Sequence, residues 1–176
     1  AEEFDVTYYT DLVLAPNEQS NVYVETAHMP GILSAWNAYN TDFPDTVFYL
    51  TASAPETSFT CSRPSWETGC LDNLTGVGFV PCFAAVYKAR GTLVLVTGSD
   101  RLELLRALTV PEAAREKLRE TVSWWRAVTG KLAVKTHSED LNRFINGWAT
   151  YQTLACRIFG RSSLYQSGGA YGFRDQ

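Results

Sequence analysis

Arg174 and Asp175 stand side by side at the end of a Gly-rich polar stretch, and their chemistry suits the holding of a sugar. An ionised carboxylate accepts hydrogen bonds from two hydroxyls, and an adjacent guanidinium favours that ionised form. Glycoside chemistry also uses a carboxylic acid to protonate the departing oxygen. Spacing alone favours a plainer reading, an Arg on the surface and an Asp satisfying backbone donors of its own loop. Five Trp and nine Tyr would equally suit a sugar-stacking surface, because a flat ring covers the C–H face of a pyranose while its polar edge meets water. Trp66, in a loop of Ser, Cys and Gly, and Trp36 are the candidates for such a platform; Trp66 also fits an anchor for its loop, and most such rings fill cores.

Other chemistries find little support. The two His, His28 and His137, belong to no CxxC, HxxxH or HExxH spacing, so no metal site is expected. No GxSxG elbow is present, and His137 beside a helix cap reads as a solvated linker residue. Gly168, Gly169 and Gly172 lack the GK[ST] ending of a phosphate loop and follow a helix where that motif would precede one. Cys61, Cys70, Cys82 and Cys156 are too few for a disulfide scaffold and are expected to be reduced, a Cys61 to Cys70 bridge being the alternative. Asn73-Leu74-Thr75 matches the glycosylation acceptor pattern, which matters only in a secreted protein. A net charge of -4 without any Lys and Arg run excludes the electrostatic footprint of a nucleic-acid binder. No apolar run approaches the ~20 residues that cross a bilayer, and AEEFDV has neither a basic segment nor an apolar signal region.

The elements that must position these residues are strands first and helices afterwards. The chain is 45% hydrophobic and 13% aromatic, enough for one self-sufficient core and too much for a disordered chain. Phe4, Val6 and Tyr8 alternate with polar neighbours, with Leu12 to Leu14 continuing the apolar edge; Val22 and Val24 alternate before Pro30-Gly31, and residues 46–51 are β-branched and aromatic between Pro44 and Pro55. Residues 32–39 fit a brief helix or a strand equally, and residues 56–76 read as a long polar loop. Two apolar runs, 77–88 and 92–97, flank Ala89-Arg90-Gly91 as the strongest hairpin candidate. Consecutive antiparallel strands of this kind predict a sandwich.

The character changes at Ser99. Leu102, Leu105 and Leu108 have helical spacing, and Thr109-x-x-Glu112 with Pro111 reads as a capping box for a next helix with the stripe Ala114, Leu118, Val122 and Trp125. Residues 132–134 are an extended link. Ser138 can then cap a second long helix with the stripe Leu141, Ile145, Trp148, Gln152, Ala155 and Phe159, ended by Gly160.

The run GWATYQTLACRIFGRS followed by LYQSGGAYGFRDQ closely resembles the start of the catalytic domain of glycoside hydrolase family 94, which includes cellobiose phosphorylase, related oligoglucan phosphorylases and cyclic β-1,2-glucan synthases. The resemblance is specific over residues 131–176, and YQSGGAYGFRDQ is most similar to the synthase branch, since cellobiose phosphorylases usually carry Arg where this chain has Gly169. It implies a mixed β then α chain. Residues 1–98 would be part of an antiparallel β-supersandwich, 99–135 a helical linker, and 136–176 the first helix and loop of an (α/α)6 catalytic barrel. Asp175 would bind the sugar on the donor side of the cleavage point, with Arg174 supporting it. The family cleaves by inversion: inorganic phosphate, the co-substrate, attacks the anomeric carbon while an Asp protonates the leaving oxygen. That acid is expected beyond Gln176, so no catalytic residue is expected within the chain, and the chain is expected to be an inactive fragment needing no cofactor. Its implied partners are β-glucan oligosaccharides and the remainder of the barrel, with self-association through the exposed apolar helix as a further expectation. The implied location is the cytoplasm, or the cytoplasmic face of the inner membrane for a synthase parent. A non-catalytic carbohydrate-binding or structural sandwich module is the alternative function.

Overall fold

The computed structural model describes residues 3–15, 18–40, 43–76, 80–99, 101–131 and 133–159, the side chains of residues 18 and 156–159 aside. These fall into two compact units, divided between Lys117 and Leu118.

Among the described residues, seven strands build the first unit: β1 Glu3–Asp11, β2 Glu25–Met29, β3 Ile32–Trp36, β4 Val47–Ala52, β5 Ser58–Ser62, β6 Pro81–Arg90 and β7 Leu95–Gly98. All pair antiparallel, in one sheet ordered β1-β6-β5 and another ordered β2-β3-β4-β7. Side chains alternate between faces along a strand, so register decides the core. Phe83, Ala85 and Tyr87 of β6 and Phe59 and Cys61 of β5 meet Leu33, Ala35 and Leu50 of the other sheet. Phe48 and Phe83 stack across the interior at 6.1 Å. Each large apolar side chain removed from water here contributes about 1.5–3 kcal/mol.

Two short helices cover the outer faces. Helix α2, Arg63–Glu67, follows the four-residue α1, Glu18–Asn21, and packs over β5 and β6. It explains why β6 is buried on both faces from Pro81 to Ala85. Helix α3, Leu102–Leu108, lies on β4 and β7 through the buried Leu105, whose Cδ2 would stand 3.3 Å from a Cβ added to Gly98.

Several expectations change. Residues 32–36 are a strand, because β2 and β4 supply ladders on both sides. The predicted hairpin of 77–88 with 92–97 does not form: β1 and β5 occupy both edges of β6, and β7 completes the other sheet beside β4. Gly91, at φ 87°, supplies the left-handed turn on that crossing. Residues 56–76 are not one loop, since Phe59 and Cys61 point inward from β5 while Ser58, Thr60 and Ser62 hid the alternation in a polar composition. Val22 and Val24 precede β2 rather than forming it, and β1 stops at Asp11, with Val13 exposed.

Helix α4, Pro111–Thr129, starts at the expected Pro111 and runs across the division into the second unit. Its proposed capping box is not made. Thr109 instead closes α3, its amide and hydroxyl both donating to the Arg106 carbonyl, at 3.1 and 2.8 Å. In the second unit α5, Glu139–Arg143, a π-helical turn, Phe144–Ala149, and α6, Thr150–Phe159, run on without a break. Ser138 caps α5 as predicted, accepting from the Leu141 amide at 3.3 Å. Gly160, the expected stop, lies outside the described residues. Within this unit Trp125 meets Trp124 at 4.9 Å and Tyr151 at 5.0 Å, and Tyr151 meets Trp148 at 6.1 Å.

Candidate functional site

Arg174 and Asp175, the candidate sugar-holding pair, lie outside the described residues; the helical run from Ser138 precedes them in the chain, and side chains along it hold the extended link before it. Asn142 and Asn146 lie one helical turn apart, a rise of about 6 Å, which nearly matches the ~6.6 Å between alternate residues of an extended chain. The Asn146 carboxamide accepts from the Val134 amide at 2.6 Å and donates to the Val134 carbonyl at 2.8 Å. Asn142 repeats the arrangement with Thr136, accepting from its amide at 2.7 Å and donating to its carbonyl at 3.1 Å. The extended link is therefore stitched to the helix as a strand is stitched to its neighbour.

The π turn, Phe144–Ala149, carries Asn146 of this clamp, and the Thr150 hydroxyl that follows it donates to the Ile145 carbonyl at 3.1 Å. Nothing in apolar periodicity marks such a turn, so the sequence predicted one unbroken helix. Beside it Val128, Ile145, Ala149, Thr150, Thr153 and Leu154, with Lys131 at the rim, line an open apolar groove of about 510 Å³. Leu141, Phe144 and Trp148 remain exposed, as do Leu118 and Val122 of α4.

Trp66 is half-buried in α2 and stacks on Tyr9 of β1, ring centroids 5.3 Å apart. Burial first, and then the hydrogen bond from its hydroxyl to Asp11, pushes the Tyr9 phenol up to about 12. The pair shields the outer face of β6, so Trp66 serves as the anchor of α2. Trp36 is half-buried on β3, opposite Glu25 and Val47. Trp36 lies on β3 of the four-stranded sheet and Trp66 on α2, which packs over β5 and β6 of the other sheet, so the two form no common platform.

A polar site not foreseen from the sequence lies in the first unit, where β2 and β5 form open edges. Glu56, with only 4% of its side chain exposed, pairs with His28 through one oxygen and accepts from the Gly31 amide through the other at 3.1 Å. The His28 ring stacks on Phe59 at 4.2 Å. Asn73 closes the end of the site: its backbone amide donates to the Phe59 carbonyl at 2.8 Å and its Oδ1 accepts from the Phe59 amide at 2.9 Å. Nearby, Asp72 is slightly buried, which raises its carboxyl, but hydrogen bonds from Leu74, Thr60 and Ser65 outweigh this and lower it. His28 and Glu56 are 28 residues apart, and no local pattern links them.

Comparison with known proteins connects both units to one family. Residues 1–74 match the glycosyl hydrolase 94 supersandwich domain, and residues 124–176 match the catalytic domain of the glycosyl hydrolase 94 superfamily. A cyclic beta-(1,2)-glucan synthase, NdvB of Rhizobium meliloti (strain 1021), is 44% identical over 75 residues, covering 43% of this chain and 2% of that protein. The supersandwich match falls on the antiparallel sheets and the catalytic-domain match on the helices after them, and this chain belongs to glycosyl hydrolase family 94.

Proposed function

We propose that the chain is part of a larger enzyme acting on β-glucans, by inverting phosphorolysis or within β-1,2-glucan synthesis and processing. The observation that carries this reading is the order of the two domain matches on one chain, sandwich first and catalytic domain second. The similarity to a glucan synthase of which only 2% is spanned supports both the substrate class and a much longer parent.

On this reading residues 1–98 are the sandwich portion, 99–135 the linker, and 136–176 the entrance to the barrel. Asp175 accepts hydrogen bonds from donor-side sugar hydroxyls, and Arg174 keeps it ionised. Phosphate, already an anion, needs no protein base to attack the anomeric carbon, and an acid from elsewhere in the barrel protonates the departing oxygen. The rest of the barrel covers the exposed stripe of Leu141, Phe144 and Trp148.

The test is Asp175→Asn in the intact parent enzyme. Two charge-assisted hydrogen bonds at about 1.5–3 kcal/mol each predict a fall in kcat/KM for phosphorolysis of at least ~10²-fold. Unchanged kinetics would remove Asp175 from the site.

A further inference from the structure

The cavity between the edges of β2 and β5 holds about 320 Å³ and is lined by His28, Glu56, Thr57, Ser58, Phe59 and Asn73. That is the small end of the range for ligand sites, about 300–1,000 Å³, and has room for one sugar ring. Five of the six lining residues carry nitrogen or oxygen in their side chains. Both oxygens of Glu56 are engaged, one with His28 and one by the Gly31 amide, and only 4% of its side chain is exposed, so the carboxylate does not stand open to a free cation. Neither Lys nor Arg lines the walls, so nothing attracts an anion. An apolar guest would strand the polar groups. The guest that fits is neutral and offers both donors and acceptors.

Two features make this more than a gap between strands. Asn73 is held at φ 56°, the one non-Gly residue with positive φ among the described residues, so its carboxamide is fixed at the rim. With its Oδ1 committed to Phe59, the Asn73 side-chain nitrogen has no partner among the described residues. The His28 ring, backed by the buried Phe59 at 4.2 Å, forms the aromatic side of the cavity beside it.

We propose that this cavity, in the first unit, is a binding site for one unit of a neutral polyhydroxylated ligand, a glucose residue of the β-glucan chain. The identification of the sugar rests on the functional reading above; the cavity, its walls and its charge balance do not. The Asn73 carboxamide nitrogen donates to a sugar hydroxyl, the Ser58 hydroxyl donates to or accepts from another, and the His28 ring meets the C–H face.

The experiment is a titration of the full chain, labelled with nitrogen-15, with glucose, with a β-1,2-linked gluco-oligosaccharide and with inorganic phosphate, following the imidazole of His28 and the side-chain amide of Asn73. His137 is the internal control. The expected result is a saturable shift of both groups by a sugar, with His137 unmoved and phosphate without effect. Asn73→Gly keeps the positive φ and should weaken the sugar at least ~10-fold; Ser58→Ala, which breaks no hydrogen bond known among the described residues, should weaken it less. No saturable shift up to tens of millimolar, a response to phosphate instead, or undiminished binding in Asn73→Gly would each overturn the proposal. A silent cavity alongside an Asp175-dependent parent would sink this site and leave the enzyme reading standing; the opposite pair of results would do the reverse.

Discussion

Removing the carboxamide of Asn146 should detach the extended link from the helix it precedes. Asn146→Ala deletes two hydrogen bonds, of 2.6 and 2.8 Å, and leaves the part-buried amide and carbonyl of Val134 without their partner. At a net ~1 kcal/mol per bond, local stability should fall by about 2 kcal/mol, a factor of ~30 in the opening equilibrium. Native-state hydrogen exchange reads this directly, because the Val134 amide is itself the donor. Its protection should fall ~30-fold, while the Thr136 amide, held separately by Asn142 at 2.7 Å, loses less. Asn146→Asp is the sharper variant: it keeps the acceptor for the Val134 amide but sets a carboxylate oxygen against the Val134 carbonyl, so it should recover little. Unaltered exchange at Val134 in both variants would refute the clamp.

Burial pushes the Cys61 thiol up to about 11 and the Cys82 thiol up to about 12, whereas Cys70 is exposed. Iodoacetamide at pH 8 should therefore modify Cys70 in the folded chain and reach Cys61 and Cys82 only after unfolding, as peptide mass mapping would show. Both folded values lie above the ordinary thiol value of 9, so this contribution is complete below pH 9 and is lost as pH rises towards 11–12; melting temperature should fall over that window, and a flat profile would contradict it. Trp66→Ala should lower stability by about 2 kcal/mol in urea denaturation, since it uncovers Tyr9 and the outer face of β6. It should leave any calorimetric heat with a β-1,2-gluco-oligosaccharide intact; loss of that heat at unchanged stability would restore Trp66 as a sugar platform.

The strand-then-helix order was legible because it follows from periodicity, which acts locally. Val47–Ala52 and the Ser138 cap follow from residue types within a few positions of each other. The connection from β6 to β7 was misread because pairing is decided between distant segments: nothing near Gly91 indicates that β1 has already taken the free edge of β6. The outer helices were half legible. Leu105 showed its helical spacing, but Thr109 could serve the end of one helix or the start of the next, and the Arg106 carbonyl at 2.8 Å won. The His28 and Glu56 pair was hidden because neither residue type nor spacing marks a contact made across a turn by β2 and the strand connection before β5. Asp175 was singled out through a family motif, beyond what spacing could decide.

On the proposed reading this chain contributes the sandwich and the sugar-holding start of a barrel whose acid lies elsewhere. Incubating the purified 176-residue chain with β-1,2-gluco-oligosaccharide and inorganic phosphate and measuring glucose 1-phosphate puts that reading to the test. None is expected above the enzyme-free control from the chain alone, with phosphate-dependent release from the intact parent. Sustained turnover by the chain alone would contradict it.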